Sequence, residues 1–545
     1  MTMSEGYRGH PGEAEGVLDT SMGGMVAEKA SGASVSPSRY HDPMAEETVE
    51  NSQGSPAGQP PRCEGDRAQV RRQAAAACGH EEAVLHRHDG DALKGPHDQP
   101  QTMCPAFGSL RVGLRMRRTA TVLTGSACCV YGLSFTSHFY GARRTVHYVP
   151  FDSETLVTGK LFEDIRDAVD QLADPEVNDA VVVINLCVPT ASGVPLRLLP
   201  SQVNGVRVIG IDVPGFGVGT HAEAKDILSG AMLRYARSEA EQGPVQAPRE
   251  GRKARPTVTF LGEMFPADPV TLGALLDPLG LDTGPVVPTR EWRELYAALD
   301  CAVGAAIHPF YTDSIREFNE AGREVVGSAP VGYDGTAEWL EAVGEACGVK
   351  AEAVGAAKDR FLPAIRQALA DAPVKGRITL SGYEGSELLV ARLLIESGAE
   401  VPYVGTACPR TPWSEADREW LEARGVQVQY RGTLEQDLAA MAEFGPDLVV
   451  GTTPVVQAAK ERGIPALYFT NLISARPLMG PAGAGSLAQV INTALGNRER
   501  FDRMKAFFGS VGSGSCAGIW EEIPQEHPEF REKMRRRMKR QGGAS

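Results

Sequence analysis

Three cysteine sites in one stretch of this chain have the residue types and settings of metal ligands. Cys104 lies in Met103-Cys104-Pro105-Ala106-Phe107-Gly108, where the proline suits the first turn of a helix. Free N–H groups and the positive end of the helix dipole would then face the sulfur and favour a thiolate or an anionic cluster. A buried structural cysteine fits that one site equally well. The second site is Thr124-Gly125-Ser126-Ala127-Cys128-Cys129-Val130-Tyr131-Gly132, in which small residues let backbone approach a bulky inorganic group. Consecutive side chains point in different directions, so one of Cys128 and Cys129 is expected to bind and the other to pack. The third is Asn185-Leu186-Cys187-Val188-Pro189, a strand end running into a proline-containing loop. Each site alone is ambiguous, but three cysteines at element ends in one domain favour a shared metal centre.

The remaining cysteines, Cys63, Cys78, Cys301, Cys347, Cys408 and Cys516, complete the chain's ten and show neither zinc-ribbon nor ferredoxin spacing. Any cluster must therefore be assembled by the fold and not by one loop. Ten cysteines in a chain read as cytoplasmic point to reduced thiols, ligands or core residues and not to a disulfide framework.

The elements that must position these residues read as α/β. Lys160 to Ala173 sets Leu161, Phe162, Ile165, Val169 and Leu172 on one helical face. Val181 to Leu186 and Val206 to Val213 then read as buried parallel strands. Cys187 falls at a strand's carboxyl end, where open α/β sheets usually place ligand-binding groups. A second unit has a strand at Thr257 to Leu261, helical segments through Asp300 and a mainly helical stretch from Thr336 to Ala372. A third begins with a strand at Arg377 to Leu380, turns through Ser381-Gly382-Tyr383-Glu384-Gly385-Ser386, and enters a helix at Leu388 to Ser397. Strands at Val401 to Val404, Val426 to Tyr430, Asp447 to Val450 and Ala466 to Phe469 follow. The expected organisation is a disordered polar arm over 1–99, a cluster-binding α/β domain over 100–250, and a second α/β domain over 251–375. A third Rossmann-like domain over 376–475 and a C-terminal helical region with a basic tail over 476–545 complete it.

The 545 residues are 42% hydrophobic and carry 55 basic against 69 acidic side chains, a net charge of −14. That supports several cores and argues against nucleic acid as a partner. No window approaches the roughly 20 apolar residues that cross a bilayer, and the N-terminus lacks the build of a secretory signal. The arm is too polar to order itself, apart from a short helix expected near Ala74 to Leu85. His80, His86, His88 and His97 beside Cys78 read as part of a solvated tail and not as a metal site. Seven of the ten residues from Arg531 to Arg540 are basic, which reads as a solvated helical end, with anionic lipid or an acidic partner as the alternative.

The stretch from Met103 to about Arg237 resembles the cluster-binding domain of nitrogenase-like catalytic subunits. The resemblance rests on MCPAFGSLRVGLRMRRTATVLTGSACCVYGL, VPFDSETLVTGKLFEDIRDAV, NLCVPTASGVPLRLLP and GIDVPGFGV. Within that superfamily the likeness is strongest to the Y-subunit family of chlorophyllide a reductases. It extends through the third unit, over about four-fifths of the chain. It implies three Rossmann-like doubly wound domains of the nitrogenase component 1 type and a heterotetramer of two Y and two Z subunits, with a [4Fe-4S] cluster where they meet. It implies Cys104, Cys129 and Cys187 as this chain's ligands, a fourth cysteine from subunit Z, and Cys128 packed beside the cluster in place of a family glycine. It implies reduction of the C7=C8 bond of ring B of chlorophyllide a, in the cytoplasm or at the adjoining face of the photosynthetic membrane. The chain has no Gly-x-x-x-x-Gly-Lys-Ser/Thr loop, so ATP-Mg chemistry is expected in a separate X reductase that delivers electrons. His138, His147, His221 and Asp212 are candidate proton donors by side-chain chemistry alone. The alternatives are a dark-operative protochlorophyllide reductase subunit and a non-catalytic cofactor-assembly scaffold.

Overall fold

The computed structural model describes residues 104–139, 145–243, 255–262, 269–474 and 476–503. The polar arm with Cys63, Cys78 and its histidines, the basic tail, and Cys516 lie outside the described residues. Three parallel sheets follow one another along the chain.

Sheet one contains β1 (Thr119–Gly125), β2 (Val146–Pro150), β3 (Ala180–Asn185), β4 (Gln202–Val203) and β5 (Val206–Asp212), in the order β2-β1-β3-β5-β4. Only β4 runs antiparallel to its neighbour. Around the sheet lie α1 (Ala106–Arg115), α2 (Ala127–Phe139), α3 (Leu161–Leu172), α4 (Cys187–Ala191) and α5 (His221–Gln242). Strand β3 is buried along its whole length, and its continuous apolar run follows from cover on both faces. Val181 and Val183 pack toward Leu161, Ile165 and Val169 of α3. Ala180, Val182 and Ile184 pack toward residues of α1 and α5 on the other side, as the two-residue period of a strand requires. Helix α3 matches the face read from its sequence. Helix α5 starts at Thr220, whose hydroxyl accepts the Glu223 N–H at 3.2 Å.

Sheet two contains β6 (Thr257–Leu261), β7 (Asp282–Val287), β8 (Val303–Ala305) and β9 (Glu324–Val326), all parallel, in the order β7-β6-β8-β9. The stretch after Leu261 was expected to be helical through Asp300, and β7 corrects that. Its Gly284-Pro285 pair hides the strand signal, and a half-exposed edge position tolerates that pair. Helices α6 (Thr312–Glu320), α7 (Gly332–Ala346) and α8 (Ala351–Asp371) follow. The last two fill the stretch read as mainly helical, with a break at 347–350.

Sheet three contains β10 (Arg377–Gly382), β11 (Glu400–Thr406), β12 (Gln427–Tyr430), β13 (Leu448–Gly451) and β14 (Ala466–Tyr468), all parallel, in the order β12-β11-β10-β13-β14. This is a doubly wound order, with α9 (Glu387–Glu396) leading from β10 toward β11. The cores are continuous between sheets. Phe260 and Trp339 share a cluster with Ile378 and Leu389, and Ile184 and Leu228 share one with Val287 and Ile315. Among the described residues no helix is long and apolar enough to cross a membrane.

Candidate functional site

The order of sheet one makes its carboxyl edge a crevice between β1 and β3. The chain leaves β1 toward β2 on one side and returns to β3 on the other, so the two exit loops diverge. Thr124 pairs with Asn185, which brings the segments leading to Cys129 and Cys187 out at the same level. Gly125 sits at φ +157°, and a Cβ there would lie 2.8 Å from Leu186 Cδ1, so only glycine allows the two exits to approach. The edge is tied by a short polar chain. Thr124 Oγ1 donates to Asn185 Oδ1 at 2.6 Å, and Asn185 Nδ2 donates to Asp212 Oδ1 at 2.9 Å. Thr190 Oγ1 also donates to Asp212 Oδ1, at 3.1 Å. Asp212, a candidate proton donor by sequence, therefore serves as the acceptor that fixes the turn carrying Cys187.

Each of the three thiols meets a hydrogen-bond donor. Cys104 precedes Pro105 and α1, and the Ala106 and Phe107 N–H groups act on its sulfur. Cys129 stands in the first turn of α2, where Ser126 Oγ donates to its Sγ at 3.2 Å. Cys187 opens α4 and accepts the Gly215 N–H at 3.2 Å. Although Cys104 reaches the surface, the protein packed around it pushes its thiol up to about 11, and the charges of Cys187 and Cys129 add to the rise. Burial likewise raises Cys187, against the Gly215 N–H, and Cys129 adds repulsion.

The charges of Cys129 and Cys187 thus reach Cys104, and that of Cys129 reaches Cys187. Among the described residues no group of three or more His, Cys, Asp or Glu is placed to hold a metal ion. A larger cationic centre suits this donor set, because bound iron reverses the repulsion and turns thiolates into ligands. Cys128 departs from the expectation that it packs. It is exposed, its Sγ is 3.2 Å from Ser126 Oγ, and that hydrogen bond, followed by one from Cys129, lowers its pKa.

Helix α2 explains both exposures. Val130 and Leu133 are buried, while Tyr131 and Phe135 turn outward at 74% and 54% exposure with their rings stacked at 6.2 Å. Val188, next to Cys187, is also exposed.

The other candidates lie elsewhere. Cys301 and Cys408 are buried and Cys347 half-buried. His147 is half-buried on β2, and burial lowers its pKa. The His138 side chain lies outside the described residues. His221 is buried at the head of α5, with Nε2 2.8 Å from Glu384 Oε2. Thr470 Oγ1 donates to Glu384 Oε1 at 2.8 Å, and His308 Nε2 donates to the Glu384 carbonyl at 2.7 Å. Burial alone would raise Glu384, but His221, Lys225 and Thr470 outweigh it and hold the carboxyl at about 2. Burial pushes His308 down to about 3. The same turn carries Glu387, which accepts the Glu384 and Gly385 N–H groups and the Thr406 hydroxyl. Burial pushes that carboxyl up to about 7. The sequence reading placed a turn here without giving Glu384 a role. Its signal was an acid inside a glycine-flanked turn directly after a strand.

Residues 104–496 match the family described as Nitrogenase component 1 type Oxidoreductase. The chain is 74% identical over 458 residues to the Chlorophyllide reductase 52.5 kDa chain of Cereibacter sphaeroides, covering 84% of this chain and 91% of that one. It is 71% identical over 466 residues to the protein of the same name in Rhodobacter capsulatus, covering 86% and 94%. Similarity to the Light-independent protochlorophyllide reductase subunit N of a Bradyrhizobium strain is 28% over 304 residues, covering 54% and 67%. Among solved structures, "Nitrogenase Cp1 at pH 6.5" superposes with a TM-score of 0.58 at 18% identity, over 74% of this chain and 93% of that one. This last likeness bears on the fold alone.

Proposed function

The chain belongs to the nitrogenase component 1 type oxidoreductases, and from that membership we propose that it is the Y subunit of a chlorophyllide a reductase in bacteriochlorophyll biosynthesis. With a Z subunit, in a heterotetramer of two of each, it reduces the C7=C8 bond of ring B of chlorophyllide a to a bacteriochlorin. The observation that supports the reading is that the segments leading to Cys129 and Cys187 leave β1 and β3 at the same level, with Cys104 close enough for the charges of both to raise its pKa. The identity of 74% to a chlorophyllide reductase chain supports it.

In this reading Cys104, Cys129 and Cys187 are three ligands of a [4Fe-4S] cluster and the Z subunit provides the fourth. A cluster held by these residues would supply one-electron storage between an ATP-dependent X reductase and the pigment. This chain's residues hold the sulfurs. The Thr124–Asn185–Asp212–Thr190 ties fix the turn of Cys187, and the donors to each sulfur stabilise it as a thiolate. The exposed Tyr131 and Phe135, on the helix that carries Cys129, form the apolar surface on which the second subunit completes the site.

The test is anaerobic purification of the two-subunit complex with and without Cys129→Ala, followed by spectroscopy of the cluster and a pigment assay with the X reductase and ATP. The expected results are a [4Fe-4S] signal and a bacteriochlorin red shift in the wild type, and loss of both in the variant. An unchanged cluster in Cys129→Ala sinks the ligand assignment. Turnover of protochlorophyllide instead of chlorophyllide a would move the chain to the ring D reductases, to which its relatives of 28% identity belong by name.

A further inference from the structure

We propose that Ser126 is a positioning residue for Cys129: its hydroxyl donates to the Cys129 sulfur and tunes that ligand's electron density. This inference rests on the reading of Cys129 as a cluster ligand.

Ser126 stands between the end of β1 and the start of α2. Its carbonyl accepts the Val130 N–H at 3.2 Å, so its backbone place is set by the helix and not by its side chain. The hydroxyl oxygen lies 3.2 Å from Cys128 Sγ and 3.2 Å from Cys129 Sγ. A serine hydroxyl offers one proton and two lone pairs, whereas a sulfur bound to iron carries no proton and can only accept. The single hydroxyl proton must then go to the ligand. The direction Ser126 Oγ to Cys129 Sγ fits a ligating Cys129.

Of the donors described for the three sulfurs, those to Cys104 and Cys187 are backbone N–H groups. The donor to Cys129 is a side chain, so one substitution can remove it. A hydrogen bond to a ligand sulfur withdraws electron density and raises the cluster's potential. Its loss should make the cluster harder to reduce.

The experiment is an anaerobic redox titration of the two-subunit complex, followed by the spectroscopic signal of the reduced cluster, on the wild type, Ser126→Ala, Ser126→Thr, Cys128→Ala and Cys129→Ala. Ser126→Ala should retain the cluster with its reduction equilibrium constant lowered about tenfold, equivalent to about 59 mV for one electron. Ser126→Thr should keep the wild-type potential, and Cys128→Ala should keep the cluster. An unchanged potential in Ser126→Ala, with the cluster lost in Cys129→Ala, overturns this inference and leaves the ligand assignment standing. Loss of the cluster in Cys128→Ala with retention in Cys129→Ala overturns both. If Ser126→Ala assembles no cluster, rescue of cluster and potential by Ser126→Thr supports the proposal, and failure of that rescue overturns it.

Discussion

The carboxyl edges of sheets one and two begin alike and end differently. In each sheet the chain enters at a central strand and a glycine lies at that strand's exit, against the residues leaving the strand on the far side of the switch point. In sheet one Gly125 faces Leu186, and the next residue, Cys187, opens onto the crevice. In sheet two Gly262 faces His308 so closely that a Cβ would come within 2.0 Å of the His308 Cβ. There the edge is closed, because His308 donates to Glu384 from sheet three, and Glu384 also takes His221 and Thr470. One edge has thiols supplied with donors and stacked aromatics in solvent, and the other is filled by the chain's own polar groups. A switch point finished from within is structural. One that leaves thiols and apolar rings exposed beside it is not finished by the chain's own polar groups in that way.

The sharpest way to break this contrast is to remove Glu384. Glu384→Ala strands the donors of His221 and Thr470 inside the protein. Each buried donor left unsatisfied costs about 1–3 kcal/mol, so losing the acceptor of both should cost about 2–6 kcal/mol, read as a lower urea midpoint of the full chain. Cys129→Ala, at the open edge, should stay within about 0.5 kcal/mol of wild type. Equal midpoints for Glu384→Ala and wild type would remove the distinction between the two edges.

A slightly smaller effect comes from Glu387, whose carboxyl burial raises to about 7. An acid with a raised folded pKa contributes stability that is fully present below its unfolded value of 4.5 and is lost as pH rises toward 7. Glu387→Gln cannot ionise and escapes that loss. Measured against wild type, its relative stability should improve by about 3 kcal/mol between pH 4 and pH 8, whatever constant offset its altered hydrogen bonding adds. A flat difference across that range would show that Glu387 titrates in the folded chain as it does in the unfolded one, with no raised pKa.

The two edges were also unequally legible in the sequence. Cys104, Cys129 and Cys187 stood out because cysteine beside small residues, proline and strand ends is chemically conspicuous, and β3 and β5 are apolar runs long enough to read as buried strands. The choice of Cys129 over Cys128 came from a resemblance. What the sequence could not yield was the donor set, because a backbone N–H such as that of Gly215 has no residue signature and Ser126 is an ordinary member of a small-residue run. The closed edge was harder still. His221, His308 and Glu384 lie far apart in the chain and meet only through packing of three sheets. Strands β8 and β9 are three residues long, too short for a period to register, and β7 was masked by its proline.

The smallest of the expected effects tests what the open edge is for. Tyr131 and Phe135 hold little of the chain together, because most of their surface is already in water. Replacing both with serine should leave the urea midpoint of the isolated chain within the roughly 0.5 kcal/mol typical of surface changes. If the second subunit docks on this ridge, the rings become buried anchors. Truncating such anchors costs about 2 kcal/mol, or roughly 30-fold in the dissociation constant of the complex. Sedimentation of the mixed subunits would separate the two measurements. Weakened association with an unchanged midpoint would mark the exposure as an unfilled interface. Unchanged association would mean that the ridge serves neither folding nor assembly and that the partner approaches the thiols from another side.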